Sequence, residues 1–150
     1  MAAGRLDILA AILAGLQGIT IAGGYLSDVL QVEKLLKSWD DVPDSKKPWL
    51  GFAPEVERYE YQPNHLIRCF LNLRLVAHVA EKTVDARYTA LENLTDDIIR
   101  ALRQSVVRGG CADSITLQEL QTDEADPSAF GAGSFSMLFL ITYYRTEPTA

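Results

Sequence analysis

Few folds can accommodate residues 64–79, NHLIRCFLNLRLVAHV. Read two apart, Ile67, Cys69, Leu71, Leu73, Leu75, Ala77 and Val79 make one unbroken apolar set. The residues between them, Leu66, Arg68, Phe70, Asn72, Arg74, Val76 and His78, mix charge with isolated apolar groups. Alternation of period two over such a length describes a strand with one face on a core and the other solvated or contacted. A helix would place Leu71 and Leu73 on different sides. The stretch therefore predicts a central or near-central strand of an antiparallel sheet. It is longer than the usual five or six residues, so another segment must cover its end.

The rest of the chain supplies partners for that strand. Residues 5–19 predict a helix from Leu6, Leu9, Leu13 and Leu16, widened by Ile8, Ile12 and Ile19. Few polar residues remain for an outer side, so this helix is expected to be buried on more than one side, against its own core or a neighbouring subunit. Arg5 followed by 8–16 and Ala22-Gly23-Gly24 has the outline of a secretory leader, but Asp7 abuts the apolar run and Gln17 interrupts it. The run is also too short to span a membrane as a helix.

Residues 25–39 fit either period, and the need for a partner ahead of the central strand favours a strand. Residues 40–48, DDVPDSKKP, read as a polar loop. A short strand at 49–53 is expected to end at Pro54. A second at 55–61 is expected to form a hairpin with the start of the long strand through Gln62-Pro63-Asn64. Leu91, Leu94, Ile98 and Leu102 set a helix over 86–107, capped by Thr83 or Asp85 and stopped at Arg108-Gly109-Gly110. Strands at 114–120 and 135–144 follow. The second is apolar on both sides through Phe135, Met137, Phe139, Ile141 and Tyr143 against Leu138 and Leu140, so cover on both faces is expected. The order predicts an α+β fold: a single domain over 1–150, a mostly antiparallel sheet of four to five strands, and two main helices on one face.

Chemistry is sparse. His65 and His78 lie far apart on the strand, lack a metal-ligand pattern and are expected at the surface. Cys69 and Cys111 have no CxxC partner and read as reduced structural thiols. None of the glycine clusters matches a phosphate loop or dinucleotide fingerprint. Asp96 and Asp97 are adjacent on a helix and point to different faces. No catalytic, cofactor-binding or metal-binding residue is assigned. A net charge of −6 argues against a phosphate-neutralising nucleic-acid surface.

The apolar helix before Tyr25 and the loop leading to Pro48-Trp49-Leu50-Gly51 begin a longer pattern. The strand 66–79 follows, then a helix carrying Leu91-Glu92-Asn93-Leu94 through Ile98-Ile99-Arg100-Ala101-Leu102. An acidic loop then precedes a closing strand that ends Thr142-Tyr143-Tyr144. This order resembles the tail terminator proteins of long-tailed bacteriophages over most of the chain, although no single motif in it is diagnostic. Related head–tail joining proteins share the same small α+β build.

The resemblance implies a homohexameric ring that caps the tail tube, docks a head-completion or neck protein, and lets genomic DNA pass without binding it specifically. It implies no catalytic residues, no cofactor and no membrane contact. The location it implies is the virion's tail–neck junction, after assembly in the host cytoplasm. Leu9, Leu13, Arg68, Phe70, Arg74 and Phe130 are then candidates for the subunit or tube interface. Asp123, Glu124 and Asp126 are candidates for an acidic loop facing the lumen. Six copies at −6 give 6 × −6 = −36, a charge that would repel passing DNA. Two alternatives are a neck or head-completion protein and, in another class, a small dimeric ligand-binding or enzymatic α+β domain.

Overall fold

The computed structural model describes residues 4–122 and 133–147. Its fold is α+β, with a five-stranded mixed sheet and two helices. In chain order the elements are α1 (Arg5–Gln17), β1 (Gln31–Glu33), β2 (Trp49–Tyr61), β3 (Leu66–Val79), α2 (Val84–Leu102), β4 (Ser114–Thr122) and β5 (Gly133–Thr146). Across the sheet the strands run β1-β2-β3-β5-β4, which puts the long strand at the centre. Every pairing is antiparallel except the short β1 against β2.

The apolar set of β3 is buried throughout, from Ile67 at 4% exposed to Leu71, Leu73 and Leu75 at 0%. It meets Phe52 on β2 and Phe135, Met137, Phe139 and Ile141 on β5. Both helices close over this inner face to form one hydrophobic cluster. From α2 come Leu91, Leu94, Ile98, Ala101 and Leu102. Thr83 caps that helix by accepting from the Ala86 amide at 3.2 Å, and the helix runs on into a π-helical turn over Arg103–Val107.

In α1 the deepest residues are Ile8, Ile12 and Leu16, each four apart, followed by Ile19. Leu9 and Leu13 flank that stripe, half-buried against the same core, and Leu6 is 81% exposed. The helix therefore buries one broad side within its own chain and leaves the other open, which corrects the expectation that its own core covers it on more than one side. Ile8, Ile12 and Leu16 at i, i+4 spacing set the core line, rather than Leu6, Leu9 and Leu13.

Three other expectations are corrected. Pro54 does not end a strand: β2 runs through it with a bulge between Pro54 and Glu57, where a residue without an amide proton is tolerated. Residues 25–39 are mostly not strand, and only Gln31–Glu33 pairs, in parallel with Trp49–Gly51. The segment before β1 is held instead by α2. Buried Asp97 accepts from the Leu26 amide at 3.0 and 3.1 Å, and Arg100 Nη1 donates to the Gly24 carbonyl at 2.8 Å. Finally, the described residues of this chain cover only the inner face of β5 fully and leave its outer Leu138 and Leu140 half-buried.

β2 turns into β3 through Asn64 and His65, both left-handed at φ 66° and 61°. Two consecutive positive φ values suit the right-handed twist of the flanking strands. The turn is closed by the Gln62 amide donating to the Leu66 carbonyl at 2.8 Å. A side chain at His65 is strained there. His65→Gly is expected to raise the unfolding free energy by about 1 kcal/mol, read as a higher urea midpoint with an unchanged slope. A lower midpoint would mean that the His65 ring holds the turn.

Candidate assembly surface

β3 presents its second set of side chains on the face opposite the helices. One end of that face is covered. Residues 34–48 cross it as a strap containing two short 3-10 turns and a cis Lys47-Pro48 bond. Lys47 lies buried with its ammonium 3.3 Å from the centre of the Trp39 ring and 2.8 Å from Asp44 Oδ1. Trp39 Nε1 donates to the Val79 carbonyl at 3.1 Å. Gly51 leaves room for the strap, since a Cβ there would come 2.2 Å from the Leu35 carbonyl oxygen.

His78 sits beneath the strap, 2% exposed, which corrects its expected surface position. Its Nε2 lies 2.7 Å from the Lys37 carbonyl and must donate to it. In the neutral ring Nδ1 then accepts from the Ser134 hydroxyl at 2.7 Å. Trp49 stacks on the imidazole with centroids 5.3 Å apart and donates from Nε1 to Glu33 at 3.1 Å. The hydrogen bond from the Lys37 ammonium lowers the pKa of Glu33. These partners come from distant parts of the chain and leave no alternation to read in the sequence.

The remainder of the outer face is uncovered among the described residues. Arg68, Phe70, Asn72, Arg74 and Val76 stand half-buried along β3, beside Leu138 and Leu140 of β5. Phe70, Asn72 and Leu140 share a groove of about 600 Å³ with Arg58, Glu60 and Gln118. Arg74 Nε donates to Glu55 Oε1 at 3.0 Å. The Arg68 guanidinium lies 5.0 Å from the Phe70 ring centre, and its buried Nε has no hydrogen-bond partner among the described residues. The structure thus brings Arg68, Phe70 and Arg74 onto one face. It places Leu9 and Leu13 on the opposite side of the sheet, packed against the core. Phe130, Asp123, Glu124 and Asp126 lie outside the described residues.

A second polar group, which the sequence reading missed, sits on the inner face at the hairpin end. Glu57 follows the bulge with its side chain 5% exposed, whereas 55–61 reads as an exposed strand. Its Oε1 accepts from the Tyr143 hydroxyl. Its Oε2 accepts from Tyr59 at 2.9 Å and faces Arg5 Nη1 at 3.6 Å. Burial, then the hydrogen bond to this carboxylate, pushes the Tyr143 phenol far above its ordinary range. The same carboxylate raises Tyr59, and burial pushes the neighbouring Cys69 thiol up. With both oxygens occupied, Glu57 ties the start of α1 to β2 and β5. Beyond it the hairpin end is apolar and open, with Tyr59 49%, Tyr61 67% and Leu66 39% exposed.

A further groove of about 490 Å³ lies between α2 and the segment before β1, lined in part by Ile21, Leu26, Pro48, Val79, Ala90 and Leu94. Among the described residues no group of three or more His, Cys, Asp or Glu side chains is placed to hold a metal ion. No helix among them is long and apolar enough to cross a membrane. No protein-family model matches this sequence, and no curated protein matches it.

Proposed function

We propose that this chain is a structural virion protein that closes the end of a phage tail tube as a ring of six copies. In this reading the ring joins the tube to the head connector and lets DNA pass through its lumen. One observation carries the reading: the outer sheet face beyond the strap, with Phe70, Leu138 and Leu140 beside an Arg68 whose Nε has no acceptor among the described residues. An apolar centre next to a half-buried guanidinium with one unpaired donor is well suited to a protein surface that brings an acceptor. The tail tube protein and a head-completion or neck protein are the partners proposed for it. A ligand-binding or enzymatic domain would be favoured by a pocket presenting His78 or Cys69, and neither residue lines the two grooves described above.

Mass photometry of the purified chain tests the oligomer. The expected species has six times the 16.6 kDa mass of one protomer. A single dimeric or monomeric species at micromolar concentration would overturn the ring. Co-purification with DNA-filled heads rather than with tail tubes would move the protein to the neck.

A further inference from the structure

The sheet has two margins, and their geometry is matched. β1 pairs only with Trp49, Leu50 and Gly51, so the remainder of β2, residues 52–61, has no strand on its far side among the described residues. β4 forms the opposite margin and is likewise unpaired outward among them. A long free margin offers a row of unpaired amides and carbonyls to another strand.

Direction, level and shape all bear on which strand that is. β3 is antiparallel to β2, β5 to β3 and β4 to β5, so β2 and β4 run in opposite directions. A neighbour's β2 laid beside β4 would therefore pair antiparallel, as the long strands already do. The registers also place the two margins side by side in height. Following them across the sheet, Ser114 lies level with Thr142, Phe70 and Arg58. Leu117 lies level with Phe139, Leu73 and Pro54, and Leu120 with Met137, Leu75 and Phe52. Each margin is bent by a bulge, between Pro54 and Glu57 on one and between Leu117 and Glu119 on the other, and the two bulges adjoin the level of Leu73 from opposite sides. Pro54 withholds one amide, and it does so within the bulge, where a ladder is already interrupted.

We infer that β4 of one copy pairs antiparallel with residues 52–61 of β2 in the next copy, so that the sheet continues from subunit to subunit. The inference rests on the ring reading and names the strands through which its copies meet. The contact is head-to-tail, joining unlike margins. Because the margins share one level, a neighbour's β2 can lie along most of β4, and a head-to-tail contact of this kind gives a ring when its rotation closes. The helices of all copies then lie on one side of the continuous sheet and the Phe70 face on the other.

Oxidative cross-linking tests the contact. In a Cys111→Ala background, Ser114→Cys and Arg58→Cys replace two exposed residues. Within one chain these positions are three strand spacings apart, roughly 14 Å, too far for a disulfide. Across the inferred contact they face each other. Mild oxidation of the double variant is expected to give a reducible ladder of multimers on denaturing gels, and each single variant is expected to give none. Hydrogen exchange on the unaltered protein gives a check free of mutation. Amides in 52–61 and 114–122 should slow as concentration carries the chain from monomer to oligomer. A six-copy species with no ladder and unchanged exchange would overturn this contact and leave the ring standing. A chain that stays monomeric by mass would overturn both.

Discussion

Leu73→Ala is expected to lower the unfolding free energy by about 3–5 kcal/mol. Leu73 lies at the middle of the central strand, fully buried, level with Pro54 on one side and Phe139 on the other. Removing its branched end leaves a hole that strands on both sides and helices above cannot fill without shifting together. The loss is a large share of the roughly 5–15 kcal/mol that holds a domain of this size. Chemical denaturation of the wild type and variant, at equal concentration so that assembly does not enter the comparison, measures it. A cost under 1 kcal/mol would mean that the core around β3 is looser than its burial indicates. Asn72→Ala, one residue away on the opposite face, is expected to cost far less, since no core packing is lost.

The second large effect is at Tyr143. Its hydroxyl donates to buried Glu57, and Tyr143→Phe leaves that carboxylate with Tyr59 and Arg5 alone. A hydrogen bond to a charged group is worth about 1.5–3 kcal/mol, and a loss in that range is expected at neutral pH. The pH dependence separates this bond from simple packing. Below about pH 10 both folded and unfolded chains hold the phenolic proton, and the contribution is complete. Above it the unfolded chain releases the proton while the folded chain, whose Tyr143 is raised, keeps it. The unfolded state then binds fewer protons, so stability falls as pH rises, by about 1.4 kcal/mol per pH unit from this one group. The wild type is expected to lose stability above about pH 10 more steeply than Tyr143→Phe, in unfolding curves taken at successive alkaline pH values. Parallel slopes would show that the phenol ionises in the folded state as freely as in the unfolded one.

The β3 alternation and the α2 stripe could be read directly because each pattern is local: the residues that set the period are the residues that pack. The antiparallel hairpin and the central position of β3 followed from the same pattern. Pro54 misled because a proline usually closes a strand, and only the cross-strand register reveals a bulge that admits it. Residues 25–39 misled because Asp97 and Arg100 of α2, rather than a neighbouring strand, satisfy their backbone. The outer-face candidates Arg68, Phe70 and Arg74 were legible from the second set of the alternation. His78 and Glu57 were not. Each resembles a solvated residue on a strand, and each is buried by groups that the fold brings from far along the chain, Lys37 and Ser134 for one, Tyr143 for the other.

The left-handed pair Asn64 and His65 has a consequence that reaches the whole of β3. A hairpin whose three-residue crossing, Pro63–His65, holds two residues left-handed resists sliding, and on a strand of period two even a single step of sliding exchanges the two faces completely. The turn therefore keeps two vocabularies apart on one strand. Words changed in Leu71 or Leu73 are answered by melting. Words changed in Phe70 or Asn72 leave the fold silent and alter only what the molecule can hold on to.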